Sequence, residues 1–485
     1  MNPQKGILLS STGKVSSSST DISQITARPM RADRVEWEQR LLSDDGPLRE
    51  IADTVQGPFH VMFPERIVEN IGRFQKSFVD NDVAGVIYYG KKANKSACVI
   101  EACAAAGAGV DVASVGELGA ALRGGIDGAD LMVTGPVKSD ELLMAAAAND
   151  ALIAIDSPAE LARLIELSRR RLPATTARIV LRVLPKDSTS RFGMTDTELD
   201  NIWDQLDTTS VRLEGYSFHL SGYDAVPRAE LAAALVDRCL KARVNGHPAD
   251  IISIGGGFSV SYIASELWHS FLDNVNPSWF HGGRAPRPDS YYPYHCAVAG
   301  PQMLTAILEH NGLGDRLRKA GIRLAIEPGR ALLDRAGSTV FRVQGVKTRE
   351  AQHIPYDILT VDGSSLSLSE QWFDTEYLPD PVLWPERIGS ITPTCVGGAT
   401  CLESDMLSWR RIPLPRAAVV GDLLVYPNTA GYQMDSNESE FHELPVPPKV
   451  VLRNSADGRQ FQWTREPDPR DVRSNATPAA SLNLS

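Results

Sequence analysis

Between Gly85 and Arg330 the chain alternates short apolar runs with segments whose apolar residues recur at helical spacing. The runs are GVIYY (85–89), GVDVAS (109–114), LMVTG (131–135), LIAID (152–156), ARIVLRV (177–183), LEGYSFHL (213–220), DIISIGG (250–256) and IRLAIE (322–327). Runs this short and continuously apolar suit strands buried on both faces. Most are separated by helix-like segments such as SACVIEACAAAG, VGELGAALRGG and SPAELARLIELSRR, the last opened by a Ser-Pro cap. Eight β-then-α units predict an α/β fold, a (β/α)8 TIM-type barrel. A doubly wound sheet is the rival architecture that counting alone leaves open.

A barrel demands that chemistry sit at the C-terminal ends of its strands. Lys92 follows the first run, Ser114 ends the second and His219 ends the sixth. Gly255-Gly256-Gly257 ends the seventh and Glu327-Pro328-Gly329-Arg330 the eighth, where such barrels commonly bind phosphate. After about Ala336 the pattern becomes strand-and-turn (GSTVFRVQGVKT, YDILTVDGS, AAVVGDLLVYPN), which predicts a C-terminal, mainly-β domain. The expected organisation is a disordered extension over 1–30, a lead-in over 31–57 that packs with the β domain, and a barrel over 58–335 with an insertion at 259–300. The β domain then covers 336–465 and a disordered tail 466–485.

Composition narrows the function. At 485 residues and 43% hydrophobic the chain can bury a large core. A formal net charge of −11 argues against nucleic acid or an acidic membrane as partner, but not against a small anion in a basic pocket. Six scattered cysteines without a C-x-x-C pair, and no H-E-x-x-H, argue against a disulfide framework and a metal site. With no apolar run near the ~20 residues of a membrane span and no signal-like N-terminus, a cytoplasmic location is expected.

The stretch GVIYYGKKANKS (85–96) is one residue short of a phosphate-loop signature, which needs Ser or Thr at Lys92. Val86, Ile87, Tyr88 and Tyr89 favour a buried strand instead, one that delivers a lysine. A strand-end lysine near a phosphate-binding glycine cluster points to a Schiff base with pyridoxal 5'-phosphate (PLP). That chemistry is served by a depressed lysine pKa, expected here from partial burial and from the neighbouring Lys91. It also needs a carboxylate to keep the pyridine nitrogen protonated, and Glu327 is placed for it.

YYGKKAN resembles the lysine motif of fold-type III PLP enzymes. With GVDVASVGEL, SRFGM, FHLSG, GGGF, EPGR, CLESD and GDLLVYPNTAGYQM in order over residues 58–450, the chain is similar to the diaminopimelate/ornithine decarboxylase group. The resemblance implies an alanine racemase-like barrel, a C-terminal β domain and a head-to-tail homodimer with shared active sites. It also implies that Lys92 forms the Schiff base, that His219 stacks on the cofactor ring, and that Glu327 pairs with the ring nitrogen. Ser221, Gly257, Gly329, Arg330 and the Tyr432 hydroxyl would hold the phosphate. Cys401 of the second subunit would return a proton to the α-carbon, with Asp405 and Glu403 near the substrate.

Several departures bear on the substrate. Ser221-Gly222 reverses the family's Gly-Ser, and Leu402 stands where the family has an acidic residue after the cysteine. Residues 364–386 lack the family's Arg-Pro segment, and the Trp-, Tyr- and Pro-rich insertion 259–300, with Tyr291, Tyr292 and Tyr294, follows GGGF. The expectation is a decarboxylase of an unusual, larger amino acid. A racemase or epimerase on the same scaffold and a non-catalytic PLP-binding relative are the alternatives.

Overall fold

The computed structural model describes residues 21–467 except 207, 288–290, 370–375 and 438. Most of the expected N-terminal extension, nearly all of the tail and part of the 364–386 loop therefore lie outside the described residues.

Strands β2 (Gly85–Gly90), β3 (Gly109–Val112), β4 (Leu131–Val133), β5 (Leu152–Ile155), β6 (Ala177–Arg182), β7 (Val211–Ser217), β8 (Ile251–Ser253) and β9 (Arg323–Ile326) form a closed parallel barrel in chain order, after β1 (Phe59–Met62). Closure decides against the doubly wound sheet: β9 returns to β2 with Leu324 opposite Gly85 and Ile326 opposite Ile87. Alternation along the strands divides the core. Tyr88, Met132, Leu152, Ala154, Val180, Ile251 and Ala325 form one buried cluster, while Tyr89, Val110, Val133, Ile153 and Ile179 join the larger core shared with the helices. With both faces covered, the strands read as unbroken apolar runs.

The second domain is a nine-stranded sheet that includes β10 (Gly337–Ala351), β11 (Ile354–Val361), β12 (Val382–Trp384), β13 (Thr392–Gly397), β14 (Met406–Leu414), β15 (Leu423–Tyr426), β16 (Lys449–Asn454) and β17 (Phe461–Arg465). The long β10 pairs with β1 and β15 through its first half and with β11 through its second. β1 also pairs with β16, so residues 59–62, which the sequence pattern assigns to the barrel, lie in the sheet domain. Four residues too short to reveal their partner are captured by two edges that the chain supplies nearly 300 and 400 residues later. Trp37, Leu41, Leu48 and Ile51 of the lead-in pack on Phe59, Val340, Trp384, Val425 and Val450.

The sheet domain grips the turn after β2. Asn94 Nδ2 donates to Ala430 O at 2.8 Å, and Tyr432 N donates to Ala93 O at 2.8 Å. The buried Asp435 carboxylate accepts from Lys95 N and from Lys449 Nζ, at 2.5 and 2.6 Å. No helix among the described residues is long and apolar enough to cross a membrane.

Candidate active site

Strand β2 ends at Gly90, and a single 3-10 turn, Lys91–Ala93, lifts Lys92 into the barrel mouth. The Lys92 side chain is 60% accessible because the mouth is open, although protein atoms surround it. Its Nζ lies 3.4 Å from Asp111 Oδ2 at the end of β3. The other oxygen of Asp111 accepts from Thr134 Oγ1 at 2.6 Å, which aims the carboxylate. Asp111 holds the Lys92 ammonium well above the usual lysine range, outweighing burial. The expected depression of the Lys92 pKa is thus corrected. Lys91 is itself buried and turns to its own loop, donating to Lys95 O at 3.4 Å, while the charge beside Lys92 is negative.

Glu327, at the end of β9, accepts from Ser253 Oγ at 2.5 Å, and its own N–H donates to Gly255 O at 2.9 Å. Burial, and then the negative Asp111, push its pKa up to about 7. His219 Nδ1 accepts from Gly256 N at 3.2 Å, which leaves any ring proton on Nε2. Burial, and then the Lys92 cation, push His219 down to about 4, so it stays a neutral flat ring. A Cβ placed on Gly90 would sit 3.6 Å from Lys92 Nζ and 3.8 Å from both Glu327 O and Gly329 Cα. The strand ends converge on that point.

Two glycines leave room that any side chain would fill. A Cβ at Gly329 would press on the Tyr432 hydroxyl at 2.9 Å and on Ala93 at 3.0 Å. Gly257, with φ of +80°, lies against Gly222 O and the guanidinium of Arg228. Arg330 is 6% exposed, donates to Tyr262 Oη at 2.9 Å, and lies 4.0 and 5.0 Å from the ring centres of Tyr292 and Tyr432. Ser221 is exposed in the turn after β7.

Similarity to known proteins can now be read against this geometry. Residues 65–278 match the family model described as pyridoxal-dependent decarboxylase, pyridoxal binding domain. An uncharacterized protein of Sinorhizobium fredii is 37% identical over 433 residues, which is 86% of this chain and 93% of that protein. The diaminopimelate decarboxylase of Deinococcus radiodurans is 25% identical over 88% of this chain and 97% of its own. The chain belongs to the fold-type III PLP-dependent decarboxylases. Among solved structures, the M. jannaschii diaminopimelate decarboxylase in complex with L-lysine shares the fold, with a TM-score of 0.69 at 18% identity over 90% of this chain and 95% of that one. The lysine/ornithine decarboxylase of Vibrio vulnificus in complex with putrescine gives 0.66 at 18% identity, over 87% and 99%.

The donor set fits the decarboxylase's cofactor: a lysine for the aldehyde, a neutral imidazole, a carboxyl able to hold a proton, and a glycine cup with a tyrosine hydroxyl and an arginine. The sequence reading passed over Asp111 and Ser253, which lie inside motifs or runs it had singled out. Arg228, one helical turn past the FHLSG motif, carried no signal of its own.

The remaining expected residues sit elsewhere. Cys401, Leu402 and Glu403 are exposed on the loop between β13 and β14. Cys401 Sγ lies 3.2 Å from His442 Nε2, a partner that spacing could not predict. Asp405 is buried with both oxygens engaged: one accepts from Ser365 N and Oγ, the other from Thr400 N and Oγ1. A cavity of about 600 Å³ beside this loop is lined by Arg342, Asp362, Ser364 and Phe441 and uses no barrel residue.

The two insertions meet. Tyr262, Tyr292 and Tyr294 pack edge to face with one another and with Tyr377 of the 364–386 loop, and Tyr294 Oη accepts from Leu378 N. Tyr291 packs on Trp268. Tyr262 and Tyr292 of the insertion wall in Arg330.

Proposed function

We propose that this decarboxylase removes CO2 from an unusual amino acid larger than lysine or ornithine and without a distal ammonium group. Each site joins Lys92 of one copy to Cys401 of another. The observation that carries the catalytic part is the meeting of Lys92 Nζ with Asp111, Glu327 and His219 at one end of the barrel.

Lys92 holds the cofactor aldehyde, and Asp111 is the nearest acceptor for the proton its ammonium must shed. PLP bound there supplies a sink for the electron pair released when the Cα–carboxylate bond breaks. Glu327, pushed up to about 7 by burial and the Asp111 charge, would lie against the ring nitrogen and keep it protonated, while Ser253 fixes the carboxyl. Neutral His219 offers a flat face that excludes water without adding charge. Cys401 of a second copy gives a proton to the α-carbon, and His442 resupplies the thiol across 3.2 Å.

Support for the substrate lies in the Cys401 loop. A distal ammonium wants an ionised acceptor, but Leu402 follows the cysteine and both oxygens of Asp405 are occupied, one by Ser365 and the other by Thr400. Only the exposed Glu403 is left to offer charge there.

Release of CO2 from a panel of amino acids by the purified protein tests this. Turnover should be fastest on a larger substrate with an uncharged distal end. Preference for ornithine, lysine or diaminopimelate would sink the substrate assignment, and α-hydrogen exchange without carbon loss would sink decarboxylation.

A further inference from the structure

Arg228 is the third residue past the fully described turn Ser221–Ala225 and is 1% exposed, among the largest buried side chains in the chain. Its guanidinium donates to three backbone carbonyls of that turn: Leu220 O at 3.0 Å, Gly222 O at 2.7 Å and Asp224 O at 2.7 Å. Nε finds no acceptor among the described residues. The nearby Asp224 carboxylate is spent capping the helix Ala225–Val244 through Val226 N at 3.0 Å. Among the described residues no carboxylate lies within 4.0 Å of the guanidinium. A full charge taken out of water without a counterion costs several kcal/mol, and carbonyl dipoles offset only part of it. The start of the helix, with its own partial positive charge, makes the balance worse.

What this cation touches is informative. One Nη occupies the place where a side chain on Gly257 would be, so Arg228 backs the glycine cup directly. In a trans peptide the C=O and the next N–H point in opposite directions. Carbonyls 220, 222 and 224 all turn inward to Arg228, so the N–H groups of Ser221, Tyr223 and Ala225 turn the other way. Backbone N–H groups turned away from the guanidinium are donors that an anion can use.

We propose that Arg228 is the buried countercharge of the PLP phosphate and the residue that sets the phosphate cup: it supplies positive potential behind Gly257 and orients the 220–225 amides. It is a positioning residue that need not touch the phosphate. Burial pulls its pKa down, and the nearby Asp224 charge offsets only part of that. The inference rests on the family's cofactor but adds a residue outside the motifs that carry the resemblance.

The test compares PLP with pyridoxal, which keeps the aldehyde and ring but has no phosphate. Protein stripped of cofactor is titrated with each, and dissociation constants are read from visible absorption for wild type, Arg228→Met and Arg228→Lys. Arg228→Met should weaken PLP by about 10- to 100-fold and leave pyridoxal within about 2-fold, the size of a lost charge-assisted interaction. Phosphorus NMR of bound PLP should show the phosphate taking up its proton at higher pH in this variant. Arg228→Lys, which keeps the charge and loses the fork, should fall between the two. Equal loss of PLP and pyridoxal, or no loss of either, overturns the proposal. Should Arg228→Met not fold by circular dichroism, the PLP-to-pyridoxal ratio in Arg228→Lys decides by the same criterion. A wild type that binds no PLP would sink the family reading, whereas wild-type binding with an indifferent Arg228→Met sinks this inference alone.

Discussion

The barrel mouth and the Cys401 loop share one proposed reaction, yet they are built on opposite principles. At the mouth, Lys92, Asp111, His219 and Glu327 come from four strand ends and perturb one another: a lysine raised by an aspartate, a histidine lowered to about 4, a glutamate raised to about 7. The Cys401 loop is held through Asp405, which accepts from Thr400 beside it and from Ser365 of the 364–386 segment, and it presents an exposed thiol whose partner is His442. The mouth is a preorganised chemical device lacking an acid for the α-carbon. The loop is an acid lacking a substrate. Each is what the other needs, which is the physical argument for a site shared between copies.

That contrast can be broken most sharply at Lys92. Lys92→Ala should lower CO2 release by more than about 1000-fold and abolish the visible band of the bound cofactor, since the adjacent Lys91 is buried and turned to its own loop. Cys401→Ala should lose about 100-fold in CO2 release yet bind PLP as the wild type does, because a general acid contributes to rate and not to cofactor affinity. If the sites are shared, mixing these two inactive variants in equal amounts should restore about a quarter of wild-type activity, from mixed dimers with one intact site. No recovery after verified subunit exchange would end the shared-site reading.

A smaller effect is expected at His442. His442→Gln should lower the rate by about 10-fold at neutral pH with cofactor affinity unchanged. The smallest concerns stability alone. Because the Glu327 pKa in the fold is raised above its ordinary 4.5, ionising it opposes folding: the cost begins above that value and is complete above about 7. Cofactor-free Glu327→Gln should therefore melt higher than wild type at pH 8 and the same at pH 5. Equal melting temperatures at pH 8 would show that the carboxyl is not strained.

Much of this was legible before any coordinates, and the reasons are specific. Strands buried on both faces leave continuous apolar runs, so all eight barrel strands appear in the sequence at nearly their final bounds. Chemistry at parallel-strand ends is local to the chain, so Lys92, His219, Gly257, Glu327, Gly329 and Arg330 could be placed at strand ends one by one. The pKa of Lys92 could not be read that way, because the decisive charge, Asp111, is 19 residues away in sequence and 3.4 Å away in space.

The sequence alone therefore determined the strands, the family and the lysine proposed to carry the cofactor, since periodicity and short motifs are properties of neighbouring residues. Tertiary structure alone decided that β1 leaves the barrel for the sheet, that Ser365 and Thr400 together occupy Asp405, and that His442 meets Cys401. It also put the buried Arg228 behind Gly257. Coulomb energy and hydrogen bonding act over a few ångströms, and only the fold says which distant residues come that close.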